Sequence, residues 1–571
     1  VLGLLVRFVW LLAWGIALPL RLLRRVRART RPGTYLVVDV DGPVTEIPPP
    51  RRAWLTRGRP PVSLHALRTL LDAAARDPRV EGLVLVLSGL RGGTATAASL
   101  RSLLGRWRAA KKVAVVHLPV GGGTREAYVA AAADRVLLGP QSGLQAVGFL
   151  SATRYLRGAL DKAGIVPEVI ARGRYKTAAE RIERAAMSEP QREQVDALLD
   201  GVYDQVTAAL ATGRRVDVAA ARAMIDGAPY TGEEAVTAGM VDGLAYEDEL
   251  ATRVTKDGAK ARLVPAASWW RPRQALRPGA LRSAGVIGVV SVHGAIAGDG
   301  GLPFRGMATD ERVIAAVRLA RRNPLVRGVI LHVDSPGGSA LASDRMHHEL
   351  LALAAEKPLV ASMGDVAASG GYYVAVAAHA IVAQPATLTG SIGVIGARVT
   401  LDPLLARLGV ATEVIARGAH ARLLDPMLPM SEADREAVAR EIERIYQAFL
   451  RVVADGRRKT VDEVHALAQG RVWTGEGAHA RGLVDHLGGF EDALDVLRPR
   501  IGPGADRLRV VRLRPPGRGI PALDPPERKA ARVVAGVLEA LAPVLDVEAS
   551  WLALRGERVL ALDPLLAGLR W

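Results

Sequence analysis

Ser369 and Lys176 are the two residues of this 571-residue chain whose types and settings could do acyl-transfer chemistry. Ser369 sits in GDVAASGGYY (364–373), between small residues and ahead of the apolar run YYVAVAAHA (372–380). This reads as a strand-to-helix corner, which leaves a hydroxyl beside the free N–H groups of a helix start. It is not a G-x-S-x-G elbow, because residue 367 is alanine. On its own such a serine also serves as a plain helix cap. To act as a nucleophile it needs a base within hydrogen-bond reach. Lysine can be that base only when neutral, which burial promotes, and arginine cannot replace it.

Lysine is scarce here: only nine of the 76 Lys+Arg residues, in a chain of net charge +18. Where arginine supplies charge by default, a lysine marks a place where something besides charge is wanted. The Gly-rich DSPGG (334–338) follows an apolar run and suits backbone N–H donors for an oxyanion, although Pro-Gly is also a common turn. TGSIG (389–393) is similar. His332, His379 and His420 lie near these motifs without an Asp at a telling spacing, and read as core or surface histidines. The chain has no cysteine, no HExxH and no Walker A pattern, so no metal site and no cofactor are expected. Aromatics are 4% and no RNP, zinc-finger or homeodomain pattern occurs, so no nucleic-acid partner is expected.

The elements that position these residues come in two copies. EVIARG occurs at 168–173 and again at 413–418, 245 positions later. The same offset pairs Tyr128 with Tyr373, Pro140 with Pro385 and Gly148 with Gly393. YTGEEAVTAGMVDGL (230–244) matches WTGEGAHARGLVDHL (473–487) at an offset of 243. The reading is a tandem duplication: a first repeat over 34–256, a Pro- and Arg-rich linker over 257–283, a second repeat over 284–500, and an extension over 501–571 with no assigned role. Where the copies differ, Ser369 faces Thr124 and Lys176 faces Ala421. One copy keeps the serine and the other keeps the lysine.

Within each copy, short apolar runs such as VIGVVSV (286–292) and GVILHV (328–333) read as buried strands. They alternate with helical patterns over 311–323 and 343–357, and longer helices are expected over 189–211 and 432–455. The fold class is therefore α/β with a largely parallel sheet. A hydrophobicity of 49% with 23% charged residues excludes a disordered chain.

Residues 1–20 are apolar apart from Arg7, and six arginines follow between residues 21 and 31. No A-x-A-type cleavage site is present, so 1–33 reads as a retained membrane anchor with lipid contact through 1–31. The arginine cluster argues for a cytoplasmic body.

From about 35 to 495 the chain resembles the signal peptide peptidase A family of serine peptidases in its long, tandem form. DSPGG, AASGGYY, TGSIGV, GRYKTAAE with the following MSE (187–189), and the WTG…GLVD ending carry the resemblance. It implies a ClpP/crotonase-like fold in each copy and a Ser/Lys dyad split between them. Ser369 would be the nucleophile, Lys176 the base and Ser391 the hydroxyl that orients the lysine. Backbone N–H groups of Gly337 or Gly338 and Gly370 would hold the oxyanion. The implied substrates are cleaved signal peptides and other small membrane-associated peptides. A homo-oligomer, a tetramer for the tandem form, is implied as well. So is a bacterial cytoplasmic membrane location with an extracytoplasmic body, against the arginine cluster. SGLRGG (88–93) replaces DSPGG in the first copy, which fits a non-catalytic repeat. Two other readings of the same fold are a peptide-binding scaffold without activity and an acyl-CoA enzyme of crotonase type.

Overall fold

The computed structural model describes residues 30–48, 61–255, 257–275, 285–298, 306–425, 427–514 and 560–562. These fall into two compact units, one within Val1–Phe149 and Tyr203–Ala284, the other within Leu150–Val202 and Gly285–Trp571. Residues 1–29, with the apolar N-terminal stretch, lie outside the described residues, as do 515–559 and 563–571 of the extension. Among the described residues no helix is long and apolar enough to cross a membrane.

The first unit is built on a parallel sheet in the order Arg262–Pro265, Thr34–Thr45, Val80–Arg91, Val113–Leu118, Arg135–Leu138, Gly243–Leu244. The second unit repeats that order with Arg509–Arg512, Val286–His293, Val326–Ser335, Leu359–Ala368, Ala380–Ala383 and His486–Leu487, again all parallel. Its central strands are near-continuous apolar runs because both faces are covered. Val290, Val292, Leu331 and Val333 pack with Met346, Leu350 and Leu353 of a helix on one face. The helix Asp310–Arg322 shows the local logic. Val313, Ile314, Val317 and Ala320 share its buried face, while Asp310 and Glu311 open it and Arg321 and Arg322 close it, which complements the helix dipole. The expected long helices are present as Glu189–Arg214 and Glu432–Arg457.

Two lysines stand where the duplication repeats a clamp. Lys112 Nζ donates to the carbonyls of Asp77 and Val80, and Lys357 Nζ donates to those of Ala320 (2.7 Å) and Asn323 (2.8 Å). Each closes the turn between a helix and the strand after it with a compact, multi-donor ammonium.

The linker expectation for 257–283 fails over 262–275. Arg262–Pro265 is the edge strand beside Thr34–Thr45, and Ala266–Ala275 is a helix whose Trp269 and Trp270 are buried in the first unit's core. Pro and Arg dominate the composition, but two adjacent indoles supply enough apolar area to hold the segment down. Likewise Arg509–Arg512 closes the second sheet, so that unit runs past residue 500.

The 166–172 segment also departs from a simple two-copy layout. Val166–Arg172 belongs by sequence to the first copy, yet pairs antiparallel with Val394–Thr400 of the second, from Arg172↔Val394 to Val166↔Thr400. Glu168, 3% exposed, anchors it: Arg398 Nε donates to one carboxylate oxygen at 2.8 Å and Arg435 Nη2 to the other at 2.5 Å.

Candidate active site

Ser369 stands between the strand Leu359–Ala368 and the helix Gly370–Ala375, fully buried, with φ 54° and ψ −117°. A non-glycine residue in this region costs roughly 1–3 kcal/mol and persists only where its surroundings hold it. Its N–H donates to the Gly390 carbonyl at 2.8 Å. The following Gly-Gly is dictated by close approach: a Cβ on Gly371 would stand 2.6 Å from the Ser335 carbonyl oxygen.

Lys176 reaches the same point from the turn after Val166–Arg172. Gly173 (φ 110°) starts that turn, the Lys176 N–H donates to the Gly173 carbonyl, and the Tyr175 N–H donates to the Gln469 carbonyl at 2.7 Å. The side chain is 4% exposed. Its Nζ lies 2.9 Å from Ser369 Oγ, 2.9 Å from Ser391 Oγ and 3.0 Å from the Ser391 carbonyl oxygen. A carbonyl only accepts, so one N–H of the amine is committed to it. A neutral amine that gives its second N–H to Ser391 Oγ therefore has its lone pair left for the Ser369 hydroxyl.

Ser391 is strained in the same way, at φ 52°, with its N–H donating to the Arg471 carbonyl at 2.7 Å. Among the described residues six non-glycines have positive φ. Lys111, Arg215, Arg458 and Gln469 follow helix C-termini, whereas Ser369 and Ser391 both bond the Lys176 amine.

Gly337 and Gly338 lie in the short strand Gly337–Ser339. The Gly337 N–H donates to Ser335 Oγ at 3.2 Å. Gly338, at φ 154°, has no room for a side chain, since a Cβ would meet the Ile296 carbonyl oxygen at 1.9 Å. Gly370 opens the helix after the serine, and the first helical N–H with an intrahelical partner is that of Tyr373, bonded to the Ser369 carbonyl. Gly370 thus contributes one of the first-turn donors.

The histidines are engaged elsewhere. His332 Nδ1 faces His293 Nε2 at 2.6 Å, and burial lowers the pKa of both, that of His293 to about 4. His379 Nδ1 meets the backbone N–H of Leu359. His420 has a carboxylate partner after all, Asp434 at 2.8 Å, fourteen residues on. Among the described residues no group of three His, Asp or Glu side chains is placed to hold a metal ion.

One supporting element escaped the sequence reading. Arg471 stacks on the rings of Tyr175 and Trp473 (both 4.6 Å to the centroid) and donates to Glu193 Oε1 at 2.8 Å, and Tyr175 Oη bonds the same carboxylate. This ties the lysine's turn to the turn that holds Ser391. The signal was available: at the 243 offset Arg471 faces Ala228, a difference between copies like those at Ser369 and Lys176.

Comparison with known proteins identifies the family. The sequence model of Peptidase family S49 matches residues 107–262 and 352–501, one segment in each copy. The chloroplastic serine protease SPPA of Arabidopsis thaliana is 32% identical over 505 residues, covering 86% of this chain and 73% of that protein. Protease 4 of Salmonella typhi is 32% identical over 446 residues, covering 76% and 71%. A mutant ClpP1 from Listeria monocytogenes matches 36% of this chain and 93% of its own at 15% identity, with a TM-score of 0.23, too slight a likeness to bear on the fold. With two matched segments and relatives aligned over most of its length, the chain belongs to peptidase family S49, in the tandem form expected of signal peptide peptidase A proteins, and is a serine-type peptidase.

Proposed function

We propose that the chain is a membrane-associated endopeptidase that cleaves signal-peptide remnants and other small peptides by a Ser369/Lys176 dyad. Ser369 Oγ attacks the scissile carbonyl as Lys176 takes its proton, and the lysine then passes that proton to the leaving amine. Water, activated by the same amine, hydrolyses the acyl-enzyme. Ser391 fixes the direction of the lysine's lone pair. The N–H groups of Gly370 and of Gly337 or Gly338 receive the charge that develops on the carbonyl oxygen.

The observation that carries this reading is the 2.9 Å approach of a buried lysine to a serine held in a strained conformation beside that glycine turn. Residues 1–31 supply the lipid contact, and each unit is read as ClpP/crotonase-like. The homo-oligomer, for which the family resemblance implies a tetramer, draws support as an association of copies from the repeat: 411–417 and 150–155 are the counterparts of the paired strands 166–172 and 395–400. Both lie outside regular structure, with Ile415 88% and Leu150 82% exposed, so a second copy of the chain would have apolar surface to cover.

The test is a serine-directed acylating probe followed by intact mass and peptide mapping. A single adduct on Ser369, absent in Ser369→Ala along with peptide cleavage, is the expected result. Undiminished cleavage by a folded Ser369→Ala protein would overturn the assignment.

A further inference from the structure

The second unit holds a cavity of about 730 Å³ that the peptidase chemistry does not use. It is lined from the helices Asp310–Arg322, Ala340–Ala354 and Glu432–Arg457, and by Val376 at the end of the helix Gly370–Ala375. Asp344, His347, His348 and Asp455 face it. His347 is 8% exposed, and among the described residues its ring has no hydrogen-bond partner. It packs edge-on against Tyr373, with centroids 5.3 Å apart, and Tyr373 Oη donates to Asp344 Oδ1 at 2.9 Å. Burial lowers the His347 pKa to about 4, so the ring is neutral and keeps one nitrogen as an acceptor.

The duplication shows what this space accommodates. The helices Glu189–Arg214 and Glu432–Arg457 correspond end to end at the 243 offset, which pairs Ala209 with Val452 and Gly213 with Gly456. Both glycines mark the same close crossing. A Cβ on Gly213 would stand 2.0 Å from the Ala131 carbonyl oxygen, and one on Gly456 would stand 2.8 Å from that of Val376. In the first unit a guanidinium fills the crossing. Arg101 lies over the ring of Tyr128, the counterpart of Tyr373, at 5.1 Å, and donates to the carbonyls of Tyr128 (2.9 Å) and Ala209 (3.5 Å). In the second unit the shorter His347 stands against the tyrosine instead, and the space beside Val452 is open.

The arginines on the cavity wall are turned to other partners, Arg318 to Glu349 and Arg345 to Asp310, both at 2.5 Å. Asp455 has no ion pair among the described residues, and the bond from Tyr373 engages one oxygen of Asp344. The groups left to a ligand are therefore acceptors, in a chain whose net charge of +18 otherwise repels cations. We infer that this cavity binds an alkylguanidinium cation, its head held by Asp344, Asp455 and His347 and its stem lying along Ile314 and Leu351. The same head group belongs to free small guanidines and to an arginine in a peptide chain.

The test is calorimetric titration with three probes. N-butylguanidinium and its neutral isostere N-butylurea go into the wild-type chain, and acetyl-Gly-Arg-Gly-amide goes into Ser369→Ala, where it is not cut. Saturable binding of the guanidinium probes, with N-butylurea at least tenfold weaker, is the expected result. Asp455→Asn should weaken N-butylguanidinium about tenfold. His347→Arg, which fills the space from within as Arg101 does, should abolish its binding. Tm checks that each variant is folded, and Asp455→Asn decides alone if His347→Arg is not. Tighter binding of N-butylguanidinium than of the peptide marks a free guanidine as the ligand, and the reverse order marks an arginine of a chain. No binding by either guanidinium probe, equal binding of N-butylurea, or undiminished binding by folded Asp455→Asn overturns the proposal. None of these readouts depends on the catalytic roles of Ser369 and Lys176.

Discussion

Lys176 and Ser369 are 193 positions apart in the chain and 2.9 Å apart at their side-chain tips, both inside one compact unit. The lysine comes from the first copy by sequence, but its segment, Leu150–Val202, packs with the second. The exchange is secured by the seven-residue ladder between Val166–Arg172 and Val394–Thr400 and by the buried Glu168 between two arginines.

Ser391 Oγ is as near the amine as Ser369 Oγ, both at 2.9 Å, so distance alone does not rank the two hydroxyls. The proposed role of Ser369 as nucleophile rests instead on its corner position at the start of the helix Gly370–Ala375. Ser391→Ala leaves the Ser391 carbonyl in place and should reduce kcat by about ten- to a hundredfold, with the acyl adduct still on Ser369. Loss of the Ser369 adduct with undiminished turnover would make Ser391 the nucleophile.

Removing Glu168 strands Arg398 and Arg435 and frees the backbone N–H of Met430, which bonds it at 3.1 Å. Breaking a buried ion pair from one side costs about 3–5 kcal/mol. Glu168→Ala should therefore lower the denaturation midpoint and abolish activity by releasing the strand that carries Lys176. The matching change at Glu413, an exposed residue of the second EVIARG, should leave stability within about 0.5 kcal/mol. Equal effects of the two changes, read by chemical denaturation, would show that the ladder is not held by Glu168.

Asp334, the first residue of DSPGG, titrates far above its ordinary range, at about 7, because it is desolvated by burial and faces Asp365. The unfolded chain sheds this proton near pH 4 and the folded chain keeps it to about pH 7, so this group's contribution to stability falls as pH rises through that window. Asp334→Asn removes the titration. The gap in Tm between wild type and Asp334→Asn should move in favour of the variant from pH 5 to pH 8. A constant gap across that range would contradict the raised pKa.

Arg471 ties the two turns that present Lys176 and Ser391, through Tyr175, Trp473 and Glu193. Arg471→Ala should lower kcat by about tenfold, because a small misplacement of a catalytic group is expensive. Arg471→Lys should recover little of it, since an ammonium does not stack between two rings as a guanidinium does. Full recovery by lysine would reduce the role of Arg471 to charge.

Much of the site was legible because duplication supplied an internal comparison. Ser369 against Thr124 and Lys176 against Ala421 marked positions that the shared fold does not require. The parallel core was legible because its strands are continuous apolar runs. What stayed hidden depends on tertiary pairing. RLVP at 262–265 and RVVR at 509–512 are edge strands too short and too charged to announce themselves, and they become strands only beside Thr34–Thr45 and Val286–His293. Composition misled at Trp269 and Trp270, where two buried rings outweighed the prolines and arginines around them. The strand exchange at Val166–Arg172 was illegible for the same reason, because equal motifs in two copies do not say which copy each will pair with.

The central claim is that Lys176 acts on Ser369 as a base and not as a charge. The most direct measurement is kcat for a fluorogenic peptide in Lys176→Arg, with folding checked by circular dichroism and Tm. Arginine keeps the charge and stays protonated in proteins, so the account predicts a loss on the order of 10³-fold or more in a folded protein. Turnover near the wild-type value in Lys176→Arg would contradict it.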